Sequence, residues 1–133
     1  MDNHDPKPRI LISGAPRSGK TTLANVLGSL GLSVFHTDEL MGNNTYQRQA
    51  HLIASALEDN EYDVYEGCMV APAILEWREL HIDEKPCELY ITLPNPVMLL
   101  EPNQRKFNIY LHPKLESAED WLNQLGVLVL GER

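Results

Sequence analysis

A glycine-rich turn between an apolar run and a helical stretch is the strongest constraint in this sequence, RILISGAPRSGKTTLANVLGSLG from Arg9 to Gly31. Its segment GAPRSGKT, from Gly14 to Thr21, matches G-x-x-x-x-G-K-[ST] at every fixed position. Residues 10–12 form the short apolar run of a strand that is buried on both faces. A turn in this context indicates a phosphate-binding loop, and a purely structural glycine turn is the alternative.

The chemistry of phosphate binding explains this spacing. Gly14 lets the chain leave the strand sharply, and Gly19 lets the backbone approach a phosphate without a Cβ in the way. Successive N–H groups form an anion nest, to which the positive end of the helix adds. Lys20 can reach the β- and γ-phosphates, and the Thr21 hydroxyl can ligate Mg²⁺. The expected binding residues are Gly14, Ala15, Arg17, Ser18, Gly19, Lys20, Thr21 and Thr22. For Arg17, a solvated position is the alternative.

Composition limits the class of protein. The 133 residues fit a single domain, residues 1–133, with a polar lead over residues 1–8 that we expect to be flexible. A net charge of −8 argues against nucleic-acid binding. No apolar run approaches the roughly 20 residues that span a bilayer, so we expect a cytoplasmic protein without membrane contact. Cys68 and Cys87 are interpreted as reduced core thiols.

Strand and helix patterns alternate along the chain. The predicted strands are residues 10–12, 32–36, 62–65, 88–93 and 107–111, with 127–130 as a last strand or a docking tail. The predicted helices are residues 19–30, 43–58, 71–80 and 116–125. This alternation predicts a three-layer α/β/α sandwich with a mostly parallel sheet of about five strands. Ligands in such a sheet bind at the carboxyl ends of the strands.

Three segments in order, GAPRSGKTT, FHTDEL and VYEG, resemble the P-loop NTPases, and within them the adenylate-kinase-like kinases of nucleosides, nucleotides and small molecules. The resemblance covers roughly residues 9–93, and only its first motif is sharp. It implies ATP and Mg²⁺ as cofactors and the P-loop fold. The guanine motif of GTPases and the LSGGQ motif of transporter ATPases are both missing from the sequence.

The resemblance also implies roles for residues beyond the loop. Asp38 would lie beside the acceptor hydroxyl, orient it or accept its proton, or help to hold Mg²⁺, although it could instead cap the next segment. Glu66 would hold Mg²⁺ with Thr21, and Gly67 would leave room for substrate; a strand end with a turn glycine is the alternative. Arg48 fits a solvated helix face better than an acceptor phosphate. Tyr46 and Trp77 fit packing better than base stacking.

The segment from Pro94 to Lys106 departs from the family pattern. Related kinases have a lid here with two or more arginines, which close over ATP. This segment contains Arg105 and Lys106, so Arg105 is the candidate catalytic lid arginine. The apolar run at residues 97–100 could pack under the sheet, or it could contact a protein partner or a second copy.

Three functions follow from these features. The first is a Mg²⁺-dependent kinase that transfers the γ-phosphoryl group of ATP to a nucleoside, nucleotide or similar acceptor, with Lys20, Asp38 and Arg105 as catalytic residues. The second is a nucleotide-binding regulatory module with little catalysis, which the missing arginines and the apolar run favour. The third is a slow nucleotide hydrolase.

Overall fold

A computed structural model describes residues 9–14, 19–40, 42, 44–93 and 102–131 of the chain. Its strands are β1 (Ile10–Gly14), β2 (Val34–His36), β3 (Val64–Glu66), β4 (Leu89–Leu93) and β5 (Leu128–Leu130). Its helices are α1 (Lys20–Ser29), α2 (Tyr46–Asp59), α3 (Val70–Arg78) and α4 (Pro102–Leu125), and a 3₁₀ turn, Thr37–Leu40, follows β2. Residues 1–8 and the 97–100 run, for which we made predictions, lie outside the described residues.

The five strands form one sheet in the order β2-β3-β1-β4-β5, and every pair is parallel. This confirms the predicted parallel sheet of about five strands in an α/β chain. β1 lies at the centre, hydrogen-bonded to β3 on one side and β4 on the other. Parallel strands need crossover connections, and the helices supply them.

Each face of the sheet has its own apolar cluster. On one face Leu11, Tyr65 and Tyr90 are fully buried against α2, α3 and α4. On the other face Ile10, Ile12 and Val64 pack with Ala24 of α1. Because β1 contributes buried residues to both clusters, its continuous apolar run is explained by its central position.

The predicted strand at residues 107–111 is wrong. These residues belong to α4, and the predicted short helix at 116–125 is the end of the same helix. The fifth strand of the sheet is instead Leu128–Leu130, which settles the choice between a strand and a docking tail. The error arises at Pro113, a residue type that favours turns but here stands inside the helix.

Two predicted helix faces also differ from the structure. The helical spacing of Leu23, Val26, Leu27 and Leu30 predicts one buried face of α1, but Val26 and Leu30 are 54% and 73% exposed. The predicted helix at residues 71–80 includes Leu80 among its apolar residues, but this residue follows the end of α3 and is 85% exposed. None of the described helices combines the length and hydropathy that crossing a bilayer requires.

Candidate functional site

The ends of β1, β2 and β3 meet at one edge of the sheet. The parallel register pairs Ile12 with Glu66 and His36 with Glu66, so the last residues of β2 and β3 lie side by side next to β1. The helix α1 begins at Lys20, shortly after β1. Polar residues that follow these strands are therefore brought together where parallel sheets bind ligands.

Glu66 is at the centre of this edge. Its side chain is only 1% exposed, and its Oε2 accepts a hydrogen bond of 3.0 Å from the Thr21 hydroxyl. His36 Nδ1 lies 2.6 Å from the same oxygen and donates to it in the tautomer or charge state that carries a proton there. Glu66 Oε1 is also buried but has no hydrogen-bond partner among the described residues. Burying a carboxylate oxygen without a hydrogen-bond partner costs free energy. A further ligand that contacts Glu66 Oε1 would remove this cost.

Lys20 and Asp38 form the second part of the site. Lys20 is 4% exposed and hydrogen-bonds to the Cys68 thiol. Although Asp38 still reaches solvent, partial desolvation raises the pKa of its carboxyl, and attraction to Lys20 and a hydrogen bond from the Cys68 N–H offset part of the rise. That N–H lies 3.4 Å from Asp38 Oδ1. A carboxyl with a raised pKa beside a buried lysine is typical of functional sites, although structural pairs can have it too.

Gly67 allows the segment after β2 to approach β3. A Cβ at this position would lie 1.9 Å from Thr37 Oγ1 and 3.0 Å from Asp38 Oδ1. Because the two segments lie this close, the Thr37 hydroxyl donates a hydrogen bond of 2.9 Å to the Glu66 carbonyl. The space at Gly67 is thus filled by protein, which corrects the expectation that the glycine leaves room for substrate.

The donor set at this edge fits Mg²⁺ better than a softer metal. Thr21 and Glu66 offer a hydroxyl and a carboxylate, and Mg²⁺ binds proteins through one or two such groups with water and phosphate oxygens. The described residues contain no group of three or more His, Cys, Asp and Glu side chains arranged around a metal. A metal at this edge would therefore depend on a phosphate ligand for much of its coordination.

The predicted site residues are brought together in part. Lys20, Thr21, Asp38 and Glu66 lie in one connected cluster. Ala15, Arg17 and Ser18 fall outside the described residues, and so does the side chain of Arg105, whose backbone lies in the first turn of α4. Gly14 ends β1, Gly19 precedes α1 with a φ of +95°, and Thr22 is exposed on α1.

The remaining candidates have structural roles in the described part of the chain. Arg48 is exposed on α2, and Trp77 is 7% exposed in the core, both as expected. Tyr46 is 43% exposed and stacks on Tyr110, with ring centroids 5.0 Å apart. Asp38 does not cap α2, because Thr45 does so by accepting a hydrogen bond from the Arg48 N–H.

Sequence reasoning missed the part that His36 plays in the site. Its position at the end of a strand was the available signal, because side chains there face the ends of neighbouring parallel strands. The contact of His36 with Glu66 depends on the order of the strands, which the sequence does not state.

No protein-family model matches this chain, and no curated protein gives a significant match.

Proposed function

We propose that the chain binds a nucleoside triphosphate with Mg²⁺ at the carboxyl edge of β1 and β3, and that it transfers the γ-phosphoryl group to a small acceptor such as a nucleoside or nucleotide. The observation that carries the proposal is the hydrogen bond of 3.0 Å between Thr21 and Glu66. It joins the last residue of a G-x-x-x-x-G-K-T segment to a buried carboxylate on the neighbouring strand.

The orphaned oxygen of Glu66 supports the metal part of the proposal. With Mg²⁺ bound, the Thr21 hydroxyl would be a direct ligand, and Glu66 would hold the ion directly or through water. The ion would supply charge neutralisation of the phosphates. His36 would keep the Glu66 carboxylate oriented, since it contacts the oxygen that Thr21 also uses.

Lys20 and Asp38 support the transfer part of the proposal. The Lys20 ammonium interacts with the Cys68 thiol and attracts Asp38, so a cation and a carboxyl lie at the same edge. The raised pKa of Asp38 makes it a stronger base than an ordinary aspartate, which suits a group that orients the acceptor hydroxyl or takes its proton.

A nucleotide-binding module with weak catalysis is the second candidate. The observation in its favour is the scarcity of cations between residues 94 and 106, where Arg105 and Lys106 stand alone. An arginine at the transferring phosphate can contribute about 10³–10⁵ in rate, so its loss would leave binding with slow chemistry. Arg105 is our proposal for that role in the kinase.

Nucleotide binding is the first test, measured by titrating a fluorescent ATP analogue with and without Mg²⁺. We expect Lys20→Ala to weaken binding by about tenfold or more, which corresponds to about 1.4 kcal/mol. Glu66→Gln should remove most of the Mg²⁺ dependence while the shape of the side chain is kept. Lys85→Ala is the matched control, because it removes an exposed lysine from the loop before β4. Absence of binding in the wild-type chain would refute both candidates.

Phosphoryl transfer is the second test, with labelled ATP, Mg²⁺ and a pooled panel of nucleosides, nucleotides and small metabolites. A labelled product that disappears in Lys20→Ala and is strongly reduced in Asp38→Asn would support the kinase. Tight binding of ATP without a labelled product would support the nucleotide-binding module with weak catalysis. Labelled inorganic phosphate as the sole product would support a slow hydrolase.

A further inference from the structure

Three hydroxyl groups are buried side by side on β1 and β4. The register pairs Leu11 with Tyr90 and Ser13 with Thr92. Side chains two residues apart on a strand point to the same side, so Ser13, Tyr90 and Thr92 all face the side of the sheet that α2, α3 and α4 cover. Each of the three residues is 0% exposed. We call Ser13, Tyr90 and Thr92 the hydroxyl cluster.

The hydroxyl cluster lacks direct hydrogen bonds. Ser13 Oγ, Tyr90 Oη and Thr92 Oγ1 have no hydrogen-bond partner among the residues that the structure describes. Burial raises the pKa of Tyr90, and the hydroxyls of Ser13 and Thr92 lie near enough to offset part of this rise. The three groups are therefore close neighbours that do not meet in the geometry of a direct hydrogen bond. The carboxyl of Glu119 on α4 adds to the rise, which places α4 near the same hydroxyl.

Tyr65 is as deeply buried as Tyr90 but has a different hydrogen-bonding environment. Its hydroxyl donates a hydrogen bond of 2.9 Å to the Ala56 carbonyl and accepts one of 3.1 Å from the Tyr62 N–H. The Tyr90 hydroxyl makes no such bond within the described part of the chain. Burying a polar group without a partner costs free energy, and the hydroxyl cluster brings three such groups to one place.

We propose that the hydroxyl cluster binds a water molecule, which is held inside the domain between the end of β1 and β4. A hydroxyl both donates and accepts, and a water molecule does the same, so one water can serve all three groups from a single point. Buried waters make about three hydrogen bonds to groups of this kind. A water also bridges polar groups that lie near each other without bonding directly.

The segment after β4, PNPVMLLE at residues 94–101, has few groups that could replace the water. Pro94 and Pro96 have no N–H to donate, and residues 97–100 are apolar. A backbone N–H only donates and a carbonyl only accepts, so several groups would have to converge on one closed point. A divalent metal is not favoured either, because the described residues contain no group of three or more His, Cys, Asp and Glu side chains around a metal.

The proposed water lies next to the candidate nucleotide site. Ser13 precedes Gly14, where β1 ends, so the water would join the end of β1 to β4 through Thr92. This inference does not depend on nucleotide binding, since it rests on buried hydroxyls and not on the phosphate loop. Because all three residues are fully buried, the water can exchange with solvent only when this part of the domain opens.

Slow exchange makes the water measurable in the wild-type chain. We expect nuclear Overhauser effects between a long-lived water and the protons of Ser13, Tyr90 and Thr92. Relaxation dispersion of ¹⁷O counts long-lived waters without a contribution from hydroxyl protons. The count should fall by about one in the triple variant Ser13→Ala, Tyr90→Phe, Thr92→Val. A wild-type chain with no long-lived water at these three residues would overturn the proposal.

Urea unfolding gives a second test, in which the direction of the effect decides. Tyr90→Phe should lower the urea midpoint, because it removes a partner of the water. If the cluster were dry, the same change would remove an unpaired buried hydroxyl and raise the midpoint, which would overturn the proposal. Tyr65→Phe is the matched control at an equally buried tyrosine. It should lower the midpoint and leave the number of long-lived waters unchanged. A loss of water in Tyr65→Phe but not in the triple variant would also contradict the site.

Discussion

The backbone of Gly67 has a φ of +150° and leaves no room for a side chain, so this residue controls how closely β2 and β3 meet at the site. We predict that Gly67→Ala lowers the free energy of unfolding by about 2–4 kcal/mol, from the clash with Thr37 Oγ1 together with the strained backbone. Urea unfolding followed by circular dichroism measures the loss. The hydrogen bond from Thr37 to the Glu66 carbonyl should be the first contact disturbed.

Gly31→Ala is the control for the Gly67 prediction. Gly31 follows α1 with a φ of +97°, but a Cβ there would meet nothing within 4 Å. Its substitution therefore measures the cost of the backbone conformation alone, about 1–2 kcal/mol. Equal losses in the two variants would show that the approach of Thr37 to Gly67 is unimportant.

His81 ties the segment after α3 to α2. Its Nε2 lies 2.5 Å from Glu58 Oε2, its Nδ1 lies 3.3 Å from Glu84 Oε1, and its ring stacks on Trp77 at 4.2 Å. Desolvation lowers the pKa of His81, but the nearby carboxylates of Glu84 and Glu58 outweigh this effect and raise the pKa above the ordinary histidine value. Protonated His81 therefore favours the folded state.

The raised pKa of His81 makes the stability of the folded chain depend on pH. A raised folded-state pKa gives stability that is fully present below the unfolded pKa and is lost as the pH rises through the folded pKa. We predict that His81→Gln is destabilised relative to the wild type at about pH 5.5 and that the difference shrinks above the ordinary histidine pKa of about 6.5. Urea unfolding across a pH series measures it. His112→Gln is the control, because His112 Nε2 is 3.9 Å from Glu116 on an exposed surface. A constant difference for His81→Gln would contradict the prediction.

Among the site residues, those in a fixed motif could be predicted from sequence and those defined by neighbouring strands could not. Lys20 and Thr21 follow from the G-x-x-x-x-G-K-T spacing, since a local motif constrains local geometry. Asp38 and Glu66 were expected only from the family resemblance, and they meet because β3 lies between β1 and β2 in the sheet. The role of His36 follows from its register with Glu66, a contact between residues 30 positions apart.

At the scale of elements, α4 shows where local patterns mislead. The segment FNIYL has the aromatic and β-branched residues of a strand, and the following proline has the character of a turn. The structure makes both part of a helix because Phe107 and Leu111, four residues apart, are buried together with Leu115 in one core cluster. Packing at helical spacing thus outweighs intrinsic propensity here.

Pro113 costs α4 a hydrogen bond. Inside a helix a proline cannot donate to the carbonyl four residues earlier, which here belongs to Ile109, on the exposed side of the helix. We predict that Pro113→Ala raises the free energy of unfolding by about 1–3 kcal/mol, because the donor is restored and the ring clash is removed. Thermal and urea unfolding measure the gain.

Pro72→Ala is the matched control for Pro113→Ala. Pro72 is the third residue of α3, where the backbone N–H has no partner within the helix in any case. Both variants increase the freedom of the unfolded chain by a similar amount, so the difference between them isolates the helix interior. A gain at Pro72 as large as that at Pro113 would show that the missing hydrogen bond is not the cause.

The helix α1 illustrates a second limit of element-scale reasoning. Its apolar residues Leu23, Val26, Leu27 and Leu30 have helical spacing, and the pattern predicts one buried face. The described sheet covers only part of that face, leaving Val26 and Leu30 exposed. An apolar pattern at helical spacing thus predicts which face of the helix turns towards the sheet, and it does not give the width of the sheet beneath that face.

At the scale of the whole molecule, the alternation of strands and helices was enough to predict a parallel sheet, because parallel pairing needs a crossover for each strand. The sequence predicts which segment forms the fifth strand less well than it predicts the parallel sheet. A three-residue strand such as β5 carries little periodic signal, and it forms because β4 presents an edge for it. The strand β5 therefore exists because it pairs with β4, and its own sequence pattern contributes little.

The two buried thiols lie at opposite edges of the sheet, so the rate at which each one is labelled shows how often its part of the protein opens. Cys68 lies at the site before α3, and Cys87 lies before β4 at the other edge of the sheet. Burial raises the pKa of Cys68 to about 11 and that of Cys87 to about 12, so neither forms an appreciable thiolate near neutral pH. We predict that neither thiol in the native chain reacts with a disulfide reagent at about pH 8 except through unfolding, whereas both react at once in concentrated guanidinium chloride.

The relative rates of the two thiols distinguish global from local opening. If the domain unfolds cooperatively, Cys68→Ala and Cys87→Ala should each leave one thiol that is labelled at the same slow rate. A faster rate at Cys68 would mean that the carboxyl edge opens by itself, since this thiol lies beside Lys20 and Asp38. In that case ATP with Mg²⁺ should slow labelling at Cys68 and leave Cys87 less affected, because a ligand stabilises the closed form of the edge to which it binds. Rapid labelling of both thiols in the native chain would contradict the burial of Cys68 and Cys87.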